Sequence, residues 1–429
     1  MSDASAPQFQ GLLGILAILA ICCALSKDRR RISWRLVIWG LGLQVTFAWL
    51  VITTRPGQAF FIACDAGINR LLDFSRAGTA FLMRSFVTQD VEPALRNLAF
   101  DALPSVIFFS ALLSVLYHLG VMPRIVQGIA WVMMRTMRTS GAETLSVAGN
   151  IFVGQTEAPL LVRPFVSTMT RSELHTLMCG GFATIAGSVI GLYVAWLQGR
   201  VPNIAGHLMA ASVMNAPAAI IISKLLVPEV DVPATRGEVR LKVERSAGNI
   251  VEALGDGATV GMKLLLNIAA MLLAFVAIMT MLNAGLAALG GGLARLGAPE
   301  AVTSLFSLEA ILGRLFQPLA WTLGVSWSEA HVLGQLLGKK LVLTELVAFQ
   351  ELSQIGPGQL SPRSAVIASY ALCGFANFAS VGIQLGGIGA MAPERKQDLS
   401  ELALRAMMGG ALATCLTAAM AGLWIRIPG

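Results

Sequence analysis

Long apolar runs recur along the chain, and their length constrains its fold more than any other feature of the sequence. Each run is close to the roughly 20 residues that an α-helix needs to cross a bilayer. Lipid offers no partner to backbone N–H and C=O groups, so runs of this length are expected to be helices. We predict an all-α polytopic membrane protein with eight transmembrane helices, at residues 9–26, 35–53, 102–121, 174–198, 204–226, 260–288, 364–388 and 402–425.

Composition and charge agree with a membrane protein. Hydrophobic residues make up 55% of the chain and charged residues 13%, too little charge to coat a soluble domain. The net charge of +7 does not indicate a nucleic-acid partner, because the basic residues cluster in loops between spans. Basic loops are retained in the cytoplasm. We therefore expect the basic loops at 27–35, 224–245 and 395–396 to be cytoplasmic and both termini to lie outside.

Polar stretches divide the chain into four parts. Residues 1–100 hold the first spans and, over 58–95, an amphipathic helix predicted to lie at the membrane interface. Residues 231–259 are predicted to form a cytoplasmic linker with an amphipathic segment. The remaining parts, 101–230 and 260–429, are predicted to be two related units.

Two segments, 140–165 and 326–352, are too polar to span the membrane and too apolar for ordinary loops. Each opens with the Ser-x-x-Glu pattern of a helix capping box. Each then carries apolar residues, a break and a Thr-Glu pair, Thr156-Glu157 and Thr344-Glu345. Broken backbone at membrane depth is tolerated only where it is buried in protein or lines a cavity. We predict two re-entrant helical hairpins.

A patch of small and hydroxyl or amide residues follows each hairpin, from Cys179 to Ser188 and from Cys373 to Ser380. Small residues also let helices pack closely, but their matched positions favour unwinding in mid-span. With the basic loops inside, the first hairpin enters from the cytoplasm and the second from outside. Inverted repeats with broken helices at the midplane are typical of secondary transporters.

Glu157 and Glu345 are the carboxylates best placed inside the membrane. A charge at that depth costs several kcal/mol unless it is paired or used. We interpret both residues as hydrogen-bonding partners of a polar substrate. The alternative is a salt bridge with Arg163 or Lys339.

Neutral polar residues surround these carboxylates in the sequence. Side chains with both donors and acceptors suit a neutral, polyhydroxylated or amide-bearing ligand, whereas a phosphate would require clustered Lys and Arg. This set comprises Asn150, Gln155, Thr156, Asn377 and Ser380.

A cation site is predicted beside the first patch. The side chains of Asn150 and Thr184 and the carbonyls of Val153 and Ile185 offer an oxygen-only cage, which hard cations such as sodium prefer. The alternative for Asn150 is an ordinary hydrogen-bonded core residue. No nucleophile with a base and an orienting group is visible, so an enzyme is not expected.

Two motifs carry a family resemblance. The run from Gly149 to Leu160, with its Gln-Thr-Glu-Ala-Pro core, resembles the first-hairpin motif of concentrative nucleoside transporters. The run from Cys373 to Asn377 resembles the second signature of that family, and the likeness extends from about residue 10 to the C-terminus. The chain departs from the common pattern at Thr344-Glu345-Leu346, where relatives often have Asn-Glu-Phe, and at Ala379, where Ser is common.

The resemblance implies an elevator-type importer of nucleosides such as uridine, assembled as a homotrimer in the inner membrane. The third and sixth spans would form a scaffold, and the hairpins with the spans after them would move. Residues matching Gln155, Thr156 and Glu157 face the nucleobase in that family, with Val189 packed on it. Those matching Glu345, Asn377 and Ser380 hold the ribose near Phe375, and those matching Asn150, Val153, Thr184 and Ile185 hold sodium.

Three alternatives to sodium symport stay open. Some bacterial members of the family use protons and lack the amide of Asn150, so its presence here favours sodium. A channel for small polar solutes would need a continuous polar lining, which the paired hairpins disfavour. A membrane-embedded hydrolase would need the nucleophile that the sequence does not offer.

Overall fold

A computed structural model describes residues 6–236, 247–299, 302, 305–356 and 358–425. Within these ranges the chain is helical or irregular, apart from an isolated bridge between Arg84 and Val91. The predicted all-α class is confirmed for the described residues. The basic residues Arg240, Lys242 and Arg245 of the second predicted loop lie outside them.

The N-terminal part consists of α1 (Ala6–Ala24), α2 (Trp34–Thr53) and α3 (Arg55–Met83). The side chain of Thr54 caps α3 by accepting from Gly57 N, and Pro56 occupies its first turn. Because proline lacks the N–H that a first turn leaves unpaired, this start is favourable. The amphipathic helix predicted over 58–95 therefore starts earlier and ends at Met83, where an irregular segment begins.

The first repeat begins with α4 (Ser105–His118) and α5 (Val121–Met137), bent by 77° at Gly120, whose φ of 74° suits glycine. The first hairpin follows: α6 (Gly141–Gly149), an irregular tip, a 3-10 turn (Ala158–Val162) and α7 (Arg163–Val166). Next come α8 (Arg171–Ala183), α9 (Gly187–Leu197) and α10 (Ile204–Leu226).

The second repeat has the same order. It consists of α11 (Ile250–Arg295), α12 (Leu308–Thr322), the second hairpin of α13 (Trp327–Val342) and α14 (Glu345–Gln354), then α15 (Pro362–Leu372), α16 (Phe378–Met391) and α17 (Lys396–Trp424). The linker predicted over 231–259 overlaps α11, which begins at Ile250, where Asn249 caps it.

Hydrogen bonds at the two ends of the molecule fix the direction of each repeat. At one end Lys27 N donates to Leu226 O (3.0 Å), Gly141 N to Thr235 O (2.9 Å) and Arg395 Nη1 to Met169 O (2.6 Å). All three predicted basic loops contribute residues to this end, which we call the basic end.

At the opposite end Ser361 N donates to Glu329 Oε1 (2.6 Å), and Arg363 Nη2 donates to Gly422 O (2.8 Å). The first hairpin and α8 thus start at the basic end, whereas the second hairpin and α15 start at the opposite end. The two repeats are inverted relative to each other.

The small-residue patches are where helices break. Residues 184–186 separate α8 from α9, and residues 373–377 separate α15 from α16. The breaks touch, since Phe375 N donates to Thr184 O (3.2 Å) and a Cβ on Gly374 would lie 2.8 Å from Ala183 O. The predicted unwinding of both helices in mid-span is confirmed. Gly374 permits the two breaks to cross closely because it has no side chain.

Five described helical stretches are long and apolar enough to cross a membrane by length and composition, or six if the bent pair α4–α5 counts as one span. One of the five, Arg171–Leu197, consists of α8 and α9 with the break between them. The runs at 9–26 and 364–388 correspond to shorter helices, α1 and the broken pair α15–α16. The 260–288 span is part of the longer α11. A count of eight spans stays a prediction.

Candidate functional site

A cavity of about 1450 Å³ lies between the hairpin tips and the pair α4–α11. Both broken helices contribute to its wall. Its lining includes all eight residues predicted to contact the substrate: Gln155, Thr156, Glu157, Val189, Glu345, Phe375, Asn377 and Ser380. Residues far apart in sequence and drawn from both repeats therefore surround one space.

The first-hairpin tip presents Gln155, Thr156 and Glu157 to the cavity. Gln155 is buried and anchored at both ends of its amide: its Nε2 donates to Ser380 Oγ (3.0 Å), and its Oε1 accepts from Gln384 Nε2 (3.0 Å). Glu157 is exposed to the cavity, and within the described residues its carboxylate has no side-chain hydrogen bond. This tip offers one fixed amide and one free carboxylate.

The second-hairpin tip presents Glu345, the first residue of α14. Its side chain is 2% exposed and accepts two hydrogen bonds, from Tyr193 OH to Oε1 and from Asn377 Nδ2 to Oε2, both at 3.0 Å. The N-terminus of a helix also favours a negative charge. Each carboxylate oxygen retains lone pairs for further donors, so the group is pre-oriented for a ligand with neighbouring hydroxyls.

Asn377 holds this side of the cavity in place. Its Oδ1 caps α16 by accepting from Ser380 N (2.8 Å), while its Nδ2 reaches Glu345. An N-cap side chain satisfies an otherwise unpaired donor of the first turn. The cap therefore fixes Ser380 and Asn377 relative to each other and to the carboxylate.

The alternative salt bridges are not formed among the residues described. Lys339 pairs with Glu351 (2.6 Å) and Glu309 (3.4 Å) rather than with Glu345. Arg163 lines the cavity without a carboxylate within salt-bridge distance.

The two predicted capping boxes differ. Ser140 and Glu143 form both hydrogen bonds of the box, whereas the Glu329 carboxylate accepts from Ser361 N and Ser364 Oγ.

The predicted cation cage lies where the first-hairpin tip meets the break between α8 and α9. Gly187 N donates to Phe152 O (2.9 Å), which joins the segment of Asn150 and Val153 to that of Thr184 and Ile185. Asn150 is fully buried, and its Oδ1 has no hydrogen-bond partner among the described residues. A buried, unpaired oxygen costs free energy, so these residues fit an oxygen-coordinated cation.

Sequence reasoning missed Tyr193 and Gln384. Tyr193 is buried and stacks on Phe349 at 4.4 Å, besides donating to Glu345. Gln384 is buried and donates to both Gln155 Oε1 and Met178 O. Helical spacing was the available signal, because residues four apart share a face: Tyr193 follows Val189, and Gln384 follows Ser380, by one such step.

The cavity extends toward the basic end. Its lining continues from the hairpin tip along Arg163, Pro164 and Phe165, the arm of the hairpin that returns to that end. On the other side Tyr193, which is fully buried, stacks on Phe349 and donates to Glu345. The returning arm of the first hairpin therefore gives the cavity its extension toward the basic end.

Family models match most of the chain. A model described as Na+ dependent nucleoside transporter C-terminus matches residues 207–422, and its N-terminal counterpart matches 13–86. A model described as nucleoside recognition, or gate, matches 99–198, the segment that contains the first hairpin.

Curated relatives are similar over nearly the whole chain. Sodium/nucleoside cotransporter 1 of Mus musculus and of Homo sapiens are each 42% identical over 97% of this chain. Sodium/nucleoside cotransporter 2 of Rattus norvegicus is 39% identical over the same share. The chain spans 64% of the length of the first two relatives and 62% of the third.

Solved structures match at full length. CNTnw in an inward-facing, substrate-bound state has a TM-score of 0.87 at 37% identity, covering 97% of each chain. A variant of CNTnw in an outward-facing state matches equally well, with a TM-score of 0.88.

Proposed function

The chain belongs to the sodium-dependent nucleoside transporter family, and we propose that it imports nucleosides such as uridine by sodium symport. The observation that carries this proposal is the single cavity in which both hairpin tips meet, with a carboxylate from each repeat on its wall. A nucleoside has two polar ends, a base with amide-like edges and a ribose with vicinal hydroxyls. The cavity offers a distinct polar group to each.

Glu345 is proposed to bind the ribose. Its carboxylate is buried and oriented by Tyr193 and Asn377, and charge-assisted bonds to hydroxyls are stronger than neutral ones. Asn377 and Ser380 are proposed to contact the same sugar, with Phe375 beside it.

Gln155, Thr156 and Glu157 are proposed to bind the nucleobase, with Val189 packing on it. Gln384 holds the Gln155 amide so that its oxygen faces away from Ser380. Glu157 can accept an N–H of the base because its carboxylate is not engaged elsewhere among the described side chains. A neutral ligand suits this set, because the described lining of the cavity contains only two Lys or Arg residues, Arg163 and Lys263.

Sodium is proposed as the coupling ion, held by Asn150, Val153, Thr184 and Ile185. The ion would supply a positive charge at the junction of the first hairpin with the break after α8. Phe152 and Gly187 join the two segments by a backbone hydrogen bond, so any shift of the hairpin tip also moves the break. This linkage gives a physical route by which ion occupancy affects the nucleoside site.

An elevator mechanism in a homotrimer is proposed on the same grounds. The pair α4–α11 forms one wall of the cavity, and Gly257 and Gly261 let α11 approach the backbone of α4 closely. This pair would stay fixed while the hairpins and the broken helices carry the ligand. Much of the apolar surface of α11 is exposed, as expected for contact with lipid or with neighbouring protomers.

We propose that the protein lies in the inner membrane with its basic end in the cytoplasm. The side toward which the cavity extends would then face inward. A cysteine introduced at position 240 should resist a membrane-impermeant maleimide added from outside, whereas one at the exposed Gln359, close to Ser361 at the opposite end, should react. Labelling of position 240 from outside would reverse the proposed orientation of both hairpins.

The deciding experiment is uptake of labelled uridine into proteoliposomes, with sodium and proton gradients imposed separately and protein-free vesicles as the control. Accumulation driven by sodium at equal pH is expected. Accumulation driven by protons alone would favour a proton symporter. Equilibration without accumulation under either gradient would favour a channel.

A further inference from the structure

Three lysines are buried in the described part of the protein: Lys224, Lys339 and Lys340. Lys224 pairs with Glu143 (2.8 Å) and Glu229 (3.0 Å), and Lys339 pairs with Glu351 and Glu309. Such ion pairs are expected, because burying a charge without a counter-charge is costly in free energy. Lys340 is the most buried of the three, at 2% exposed, and no described carboxylate lies within 4 Å of its ammonium.

A broken helix compensates the charge of Lys340 instead. Its Nζ donates to Ala371 O (2.9 Å) and to Thr414 Oγ1 (2.8 Å). Ala371 lies in the last turn of α15, just before the break. The C-terminal end of a helix carries unpaired carbonyls and a partial negative charge, so a cation is favourable there.

The first repeat has the same arrangement with one difference. Asn150 lies at the end of the first arm of its hairpin, as Lys340 lies in the last turn of the first arm of the second. That first arm packs on the end of α8, since Val147 contacts Gly180 in its last turn. Here, however, the hairpin contributes an oxygen, Asn150 Oδ1, with no described partner. Among the described residues no Lys or Arg side chain donates to the carbonyls at the end of α8, whereas the second repeat places Lys340 at the end of α15.

We propose that Lys340 is a tethered cation that takes, in the second repeat, the place that a coupling ion takes in the first. The inference rests on the proposed sodium symport. A tethered ammonium cannot leave with the substrate, so the second half-helix end stays compensated throughout the cycle. Only the first end then needs an ion from solution, and the transporter should couple one sodium to each nucleoside. Lys340 also joins the hairpin arm that leads to Glu345 to the end of α15, which leads to Asn377, so its loss should loosen the proposed ribose site.

The test is Lys340→Gln, which keeps a neutral N–H donor, one bond shorter than the lysine, but removes the charge. Its matched control is Lys339→Gln, which removes the neighbouring buried ammonium but leaves the end of α15 untouched. Uridine uptake is measured against sodium concentration in proteoliposomes, together with the charge moved per uridine. Sodium-driven uptake by the unmodified protein, measured first, tests the symport proposal by itself.

We expect Lys340→Gln to raise the uridine KM by about tenfold or more. Its Hill coefficient for sodium should rise from about one toward two as a second ion compensates the freed helix end. Lys339→Gln should keep the Hill coefficient and charge ratio of the unmodified protein. If Lys340→Gln keeps the wild-type uridine KM, Hill coefficient and charge ratio, hydrogen bonding alone explains Lys340 and the proposal fails.

A second variant covers the case in which Lys340→Gln does not fold. Lys340→Arg keeps the charge in a bulkier group and should retain a Hill coefficient of about one and the charge ratio of the unmodified protein. A Hill coefficient near two in Lys340→Arg would overturn the proposal, because the tethered charge would then be irrelevant to ion number.

Discussion

The two hairpin tips carry the same Thr-Glu pair but place its carboxylate in opposite environments. Glu345 is 2% exposed and accepts hydrogen bonds from Tyr193 and Asn377. Glu157 is exposed to the cavity and has no side-chain partner among the residues described. The inverted repeat thus supplies one rigid and one free carboxylate.

The difference has a local cause. Glu345 begins a regular helix, with Thr344 as its N-cap, so its backbone and first turn are ordered before any ligand binds. Glu157 lies in an irregular tip that leads into a 3-10 turn. Pre-oriented groups lose less freedom on binding. We therefore expect strict selection at the end of the nucleoside that Glu345 contacts and broader tolerance at the other.

The largest effect is expected from a change at Asn150, because only the first hairpin is proposed to bind the coupling ion. Asn150→Leu removes the unpaired oxygen and adds bulk, so sodium-driven uridine accumulation should be abolished. Asn150→Asp keeps an oxygen at that position and should retain a sodium response. Uptake is compared at equal pH with and without a sodium gradient. A normal sodium response in Asn150→Leu would rule out the proposed cage and make proton coupling the better hypothesis.

Glu345→Gln should have the next largest effect. It keeps the size of the side chain but removes charge-assisted bonds worth about 1.5–3 kcal/mol, so uridine affinity should fall about tenfold or more. Discrimination against 2′- and 3′-deoxynucleosides should shrink in competition assays. Glu351→Gln, on the same helix but paired with Lys339, is the control and should leave both quantities nearly unchanged. If Glu345→Gln still discriminates against deoxynucleosides as the unmodified protein does, Glu345 does not bind the ribose.

Tyr193→Phe should have a smaller effect of the same kind. It removes the donor to Glu345 Oε1 but keeps the ring stacked on Phe349, so a loss of about 0.5–1.5 kcal/mol is expected, or roughly three- to tenfold in uridine KM. In a double-mutant cycle with Glu345→Gln the two losses should be less than additive. Strictly additive losses would mean that Tyr193 acts independently of the carboxylate.

Glu157→Gln is expected to change uridine affinity least, because no described side chain donates a hydrogen bond to that carboxylate and orients it. A change of about twofold in uridine KM is expected, about 0.5 kcal/mol. The ranking of bases should change while ribose selectivity persists. Competition by other nucleosides and by deoxynucleosides measures both. If Glu157→Gln and Glu345→Gln give the same selectivity profile, the two-ended assignment fails even if both lose transport.

Much of the site could be predicted because its signals are local. A Ser-x-x-Glu start and a Thr-Glu break identify each hairpin, and small residues from Cys179 and from Cys373 identify the broken helices. These patterns act through backbone conformation and capping within a few residues. Tyr193 and Gln384 are marked only by helical spacing after Val189 and Ser380, and Lys340 has no local mark, since their partners Glu345, Gln155 and Ala371 are distant in sequence.

The sequence by itself therefore determined the helical class, the approximate apolar runs and both hairpins. Apolar length, capping and small-residue spacing are sufficient for these because the bilayer leaves the backbone few choices. The assignment of Val189 and Phe375 to the substrate needed the family resemblance as well. Among the described residues, the tertiary structure decided which carboxylate is held and which is free, how each buried lysine is compensated, and that the cavity extends toward the basic end. These features depend on contacts between repeats far apart in the chain, such as the hydrogen bond from Phe375 N to Thr184 O, which no local pattern specifies.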